Sequence, residues 1–202
     1  MKRNKMKINN SDKIILDLCG GTGAWSEPYR KANYDVRNIT LPEYDVRTYC
    51  PPRNVYGILA APPCTMFSFA RTNAKKPRDL KEGMECIRAC LDIIWACREQ
   101  HKLAFWALEN PMGYLRQFLG NPIYTFDPSQ FYEDYNKTTD LWGYFKAPKR
   151  GKKSRYFTTD DNTRKLPDIP AGYKKDKTMT ALQIKRAITP AGFAKAFFLA
   201  NQ

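Results

Sequence analysis

The sequence is short of several things, and each shortage removes a class of function. No run of about 18 consecutive apolar residues occurs, so no membrane-spanning helix is expected. The basic start, Met1 to Lys7, is followed by no apolar stretch and does not read as a secretory signal, which makes the cytoplasm the expected location. There is one histidine, His101, and the six cysteines include no Cys-x-x-Cys pair, so a zinc site built from two close ligand doublets is not expected. Reduced, mostly buried thiols are the expectation instead. Internal repeats and low-complexity tracts are absent. Acidic residues are few: 20 against 34 Lys and Arg, a net charge of +14. That imbalance favours a polyanionic partner over a merely well-solvated basic surface.

What is present reads as one α/β domain in 202 residues. Lys13 to Leu18, Tyr34 to Leu41, Val55 to Ala61 and Leu103 to Leu108 are short apolar runs suited to buried strands. Ala24 to Asn33 is a helix candidate with Pro28 in its first turn. Between residues 79 and 100, Met84, Ile87, Leu91, Ile94 and Trp95 recur at steps that mark an amphipathic helix. Alternating strands and helices predict a mostly parallel sheet covered on both faces. After about residue 120, scattered prolines and short aromatic runs suggest hairpins. Pro190 to Asn201 is a final helix with Phe193, Phe197 and Phe198 on one side.

Three loops carry candidate chemistry. Asp17-Leu18-Cys19-Gly20-Gly21-Thr22-Gly23 follows the first strand, where glycines let backbone approach a ligand. It lacks a Lys-Ser/Thr ending, which disfavours ATP and leaves a nucleotide loop, a methyl-donor loop or a tight turn. Ala61-Pro62-Pro63-Cys64-Thr65-Met66-Phe67-Ser68 ends another strand, and its prolines hold Cys64 in place as covalent catalysis requires. A structural cysteine is the alternative. Glu109-Asn110-Pro111 ends the next strand and aims a carboxyl group at the same crevice. The competing reading is a helix start, with Asn110 as cap, Pro111 in the first turn and a helix over Met112 to Leu119.

In order and spacing, a glycine loop after the first strand, Pro-Cys-x-x-Phe-Ser after the fourth and Glu-Asn-Pro after the fifth resemble the DNA (cytosine-5) methyltransferase family, its short phage-type members above all. Thr189-Pro190-Ala191-Gly192-Phe193 resembles the family's closing motif. The resemblance implies a Rossmann-like methyltransferase fold with a small hairpin-rich insertion. It makes Cys64 the nucleophile at carbon 6 of cytosine and Glu109 the acid that shares a proton with ring nitrogen 3, its pKa raised by burial. It places S-adenosylmethionine against Asp17, Cys19, Gly21, Thr22, Gly23, Asp45 and Pro62. The target base must flip out of its duplex to reach Cys64.

The sequence also departs from that family. The acid that holds the ribose hydroxyls has no clear counterpart: Thr40 or Glu43 takes the role, or neither does. The Gln-x-Arg-x-Arg motif is missing, and Lys137 stands nearest to its cytosine-binding arginine. No separate target-recognition domain fits. The expected organisation is a basic tail over 1–12, a catalytic core over 13–120, a reduced basic substrate-binding region over 121–185, and a C-terminal helix over 186–202 returning to the core. DNA contacts are expected from Lys137, Lys149, Arg150, Lys152, Lys153 and Arg155, in or near a stretch from Lys146 to Lys177 with eleven Lys or Arg against four Asp. A partner chain or second copy would otherwise supply recognition. The alternatives are the same fold acting on RNA or nucleotide cytosine, and a catalytically idle DNA-binding relative.

Overall fold

The computed structural model describes residues 9–72, 74–100, 102–151, 166–174 and 179–202. Its strands are β1 (Ile14–Leu18), β2 (Asp35–Ile39), β3 (Val55–Ala60), β4 (Phe105–Pro111), β5 (Tyr124–Phe126) and β6 (Thr139–Tyr144). Its helices are α1 (Glu27–Lys31), α2 (Leu80–Arg98), α3 (Arg116–Leu119), α4 (Ala181–Ala187) and α5 (Ala191–Ala200), with a 3-10 turn at Pro128–Phe131. The six strands form one sheet in the order β2-β1-β3-β4-β6-β5. β1 is parallel to β2 and β3, and β3 to β4, whereas β6 runs antiparallel to both β4 and β5. The sheet is therefore mixed, with β6 alone reversed. β5 and β6 extend the main sheet, so the hairpin-rich insertion expected after residue 120 is instead its continuation.

Period-two alternation decides which face each side chain takes. Leu16, Leu18, Ile58, Ala60, Leu108 and Trp142 face one layer, where α2 buries Ile87, Cys90, Ile93, Ile94 and Cys97. Ile15, Leu59, Phe105, Ala107 and Leu141 face the other, against Trp25, Tyr29, Phe193 and Phe197. The stripe on α2 differs from the expected one, because Trp95 is 67 % exposed while Cys90 and Cys97 fill the seam as small hydrophobes. Only those two thiols are buried; Cys19, Cys64 and Cys86 are half-buried and Cys50 is exposed, all of them free. α1 is shorter than the expected helix and has Pro28 in its first turn. α5 closes the second layer. Tyr29 donates to the Asn201 carbonyl at 3.1 Å, and the Asn201 side chain bonds the Lys146 N–H at 2.8 Å and its carbonyl at 3.0 Å.

Two sequence expectations fail near the motifs. The cysteine and glutamate loops follow the third and fourth strands, since no described strand lies between β2 and β3. β4 runs on through Glu109 and Asn110 to Pro111, paired with Leu141, Asp140 and Thr139 of β6. Asn110 is buried in that strand and caps no helix; the helix near it is only Arg116–Leu119. Among the described residues, no helix is long and apolar enough to cross a membrane, and no group of three or more His, Cys, Asp or Glu is placed to hold a metal.

Candidate active site

The chain leaves β1 for β2 on one side, then returns to β3 on the other, so the strand order reverses between β1 and β3. In open α/β sheets a ligand crevice forms at the carboxyl ends of the strands at such a point. The glycine loop leaves β1 there, and the Cys64 loop leaves β3 beside it. Cys19, Gly21 and Gly23 all have positive φ, of 55°, 53° and 73°. A side chain at Gly20 would stand within 2.5 Å of Asp17 Oδ1 and Asn38 Oδ1, so the loop closes only over a missing Cβ. Asp17 lies beneath this loop. It is fully buried, accepts from the Ser26 hydroxyl, and burial lifts its carboxyl to about 6. Its Oδ1 and that of Asn38 are buried and lack partners. Asn38, in register with Asp17 on the next strand, donates to the Gly21 carbonyl at 3.0 Å.

A cavity of about 440 Å³ opens on the outer side of the loop. Thr22, Gly23 and Ala24 form one wall, Thr189, Pro190 and Ala191 a second, and Pro167 and Pro170 a third, with the carboxylates of Glu27 and Glu133 in the lining. The segment resembling a closing motif thus meets the glycine loop across a cavity. Asp45 is committed elsewhere: Arg47 grips its carboxylate at 2.6 and 3.0 Å, which holds its pKa below the usual range. Glu43 pairs with Lys174 at 3.0 Å. A larger cavity of about 760 Å³ over α2, between Arg47, Tyr49, Arg88 and Phe118, touches neither the glycine loop nor Cys64.

The Cys64 loop is fastened by backbone and buried side chains. Phe67 and Ser68 N–H groups both donate to the Cys64 carbonyl, at 3.0 and 2.9 Å, which makes a tight turn of the motif. Asn110 Nδ2 donates to the Pro62 carbonyl at 3.1 Å, and Tyr114 N–H donates to the Phe67 carbonyl at 2.9 Å. Arg78 gathers the carbonyls of Met66 and Ser68 at 2.9 and 2.8 Å. The loop that carries Cys64 and the strand end that carries Glu109 are in this way one body.

Glu109 and Lys137 meet in that body, with Lys137 Nζ 3.8 Å from Glu109 Oε1. Burial raises the Glu109 carboxyl above its ordinary value; Lys137 opposes this and the buried Asp140 assists it. Burial likewise raises the Cys64 thiol, which Lys137 pulls back down and Glu109 pushes further up. The three groups are therefore within electrostatic reach of one another. A half-buried thiol, a carboxyl inclined to keep its proton and a nearby cation can together support addition to a ring whose developing charge needs a proton.

The remaining expected contacts are less uniform. Lys149 is exposed. Arg150 is spent on the protein: it donates to the Thr125 carbonyl at 2.8 Å and lies 5.1 Å from the Tyr124 ring centre. Lys152, Lys153 and Arg155 lie outside the described residues, as does His101. Sequence reasoning missed Asn38, Asn110 and Arg78, whose roles depend on tertiary contacts. One signal was available, since Asn is depleted in strands and Asn38 stands in one.

No protein-family model matches this chain. No curated relative matches it. A solved structure to which it is similar is an E. coli protein encoded within a prophage and described as a DNA modification methyltransferase, 14 % identical with a TM-score of 0.48. The match covers 65 % of this chain and 46 % of that one, so the chain spans less than half the length of that protein. At that identity and TM-score the likeness is one of partial shape and lends no weight to the site.

Proposed function

We propose that this chain transfers a methyl group from S-adenosylmethionine to carbon 5 of cytosine in DNA. The observation that carries the reading is the grouping of Cys64 on the loop after β3, Glu109 near the end of β4 and Lys137 just before β6, around a 3.8 Å contact between Lys137 and Glu109. The donor fits what stands at β1. The loop turns back on itself through positive φ at Cys19, Gly21 and Gly23, and Thr22, Gly23 and Ala24 line the adjoining 440 Å³ cavity, which leaves room for a ligand against the backbone. Cys19, Gly21, Thr22, Gly23 and Pro62 would hold it directly, with Asp17 supporting the loop from below; Asp45 joins them only by sharing its carboxylate with Arg47. Bound there, S-adenosylmethionine supplies an electrophilic methyl group.

The chain's own residues do the rest. Cys64 Sγ, as thiolate, forms a bond to carbon 6 of the flipped cytosine. Glu109 holds its proton at ring nitrogen 3, so the ring's added electron pair is directed to carbon 5. Lys137 favours the thiolate before attack and stands near the carboxyl afterwards. Once carbon 5 is methylated, its proton leaves to a base, the carbon–sulfur bond breaks and the thiolate returns. The charge of +14 exceeds what a mononucleotide needs and supports a polynucleotide substrate, and the resemblance of the motifs makes that substrate DNA rather than RNA. Tritium release from cytosine-5-labelled substrate tests the reading. Release from duplex DNA is expected. Release from RNA alone would move the activity to that substrate, and no release alongside intact DNA binding would leave an idle DNA-binding protein.

A further inference from the structure

Residues 166–174 come from the stretch whose charge suggested DNA, yet they sit at the glycine loop. Pro167 and Pro170 line the 440 Å³ cavity together with Thr22, Gly23 and Ala24. The Tyr173 hydroxyl lies 3.9 Å from where a Gly21 Cβ would stand. Lys174 Nζ reaches Glu43 Oε1 at 3.0 Å, beyond the end of β2. At the other end Asp168 pairs with Lys185 of α4 at 2.8 Å. Between these anchors the Tyr173 N–H donates to the Pro170 carbonyl at 3.2 Å, and Gly172 has φ +78°. Pro-Ala-Gly-Tyr is thus a β-turn whose third residue needs positive φ, which glycine supplies. The prolines and this turn shape the segment before any ligand arrives, and its two ends rest on exposed ion pairs.

We propose that residues 166–174 are a clasp over the donor crevice. In this arrangement Tyr173 faces the glycine loop as a donor-site residue, and the Lys174–Glu43 pair is the fastening that opens to admit an adenosyl sulfonium donor and release its thioether product. The proposal rests on the donor reading above. An exposed pair is a weak, salt-screened fastening, which suits a wall that must open at every turnover and would not suit a permanent one. It also gives Glu43 a partner other than a ribose hydroxyl.

The test uses the full chain immobilised for surface plasmon resonance, with S-adenosylhomocysteine as probe. Lys174→Ala and Glu43→Gln are each expected to raise association and dissociation rate constants about two- to fivefold. Kd should stay within about twofold, because the pair is not made to the ligand. The double variant should go no further than either single one, and added salt should bring wild type toward the variants. Both side chains are largely exposed, 75 % and 61 %, so the fold should survive, which a thermal melt checks. Tyr173→Ala should speed dissociation and weaken Kd. Unchanged rates in all three single variants, or additive effects of Lys174 and Glu43, would overturn the clasp while leaving the donor reading intact. A wild-type chain that fails to bind the probe would overturn both.

Discussion

The two halves of the crevice are built by different means. On the Cys64 side the walls are strand ends and tight turns, tied by the Asn110–Pro62 and Tyr114–Phe67 hydrogen bonds and by Arg78. On the donor side the floor is equally fixed, but the outer wall is a surface segment held by the Lys174–Glu43 and Asp168–Lys185 pairs. Bond-making needs reacting atoms placed to a fraction of an ångström. Ligand exchange needs a wall that yields. The difference between ties made to backbone carbonyls and ties made by exposed ion pairs matches these two demands.

The largest expected effect separates the halves outright. Cys64→Ser should lower methyl transfer at least about a thousandfold, since a hydroxyl is a far weaker nucleophile than a thiolate. Binding of S-adenosylhomocysteine should not change, as calorimetry can check. Full turnover by this variant would end the covalent mechanism.

Glu109→Gln should follow, with a loss of about a hundredfold or more and a changed pH profile. The reactive form needs a Cys64 thiolate together with a protonated Glu109. Burial raises both groups, from ordinary values that set the thiol above the carboxyl. The share of that form is therefore flat between the two values. It falls below the carboxyl's value as thiolate is lost, and above the thiol's value as Glu109 protons are lost. In the Gln variant the alkaline fall should vanish and the rate should rise with pH through the raised thiol value. An unchanged alkaline limb in the variant would deny Glu109 its role.

Asn110→Ala tests the rigid half without touching a reacting group. Loss of the bond to Pro62 should let the Cys64 loop wander and cost about ten- to a hundredfold in kcat. Donor affinity should stay within about twofold. Equal loss of both would mean that the halves are mechanically one.

How much of this was legible follows from how each part is stabilised. β1, β3 and β4 were readable because strands buried on both faces are continuous apolar runs. Glu109 to Pro111 read as loop because their partners on β6 lie some thirty residues on, at Thr139 to Leu141. The stripe on α2 was misplaced because Cys90 and Cys97, not Trp95, meet the sheet. Cys64, Glu109 and the glycine loop stood out as motifs at strand ends. Asn38 gave only the weak signal of an Asn in a strand, Asn110 read as a helix cap and the clasp gave no signal, since each acts through a partner distant in sequence.

The smallest expected effect concerns the basic surface, where neighbouring cations differ. Lys149→Ala should lower the salt slope of DNA binding by about one unit. Arg150→Ala should leave the slope alone and lower stability by about 0.5–1 kcal/mol, because its guanidinium already serves β5. Equal slopes for both variants would erase the distinction, and filter binding at several salt concentrations reads it.

The docking of α5 has a consequence for how the polypeptide matures. Trp25 and Tyr29 lie near the start of the chain, yet Phe197 and Phe198 of α5 cover them, and the Tyr29–Asn201 bond spans 172 positions. During synthesis the parallel strands are available early, while one whole aromatic layer of the sheet waits for the last helix. Until then the nascent domain presents a sticky, unshielded face to its surroundings. Removal of α5 would therefore leave that face bare and is expected to favour aggregation over folding.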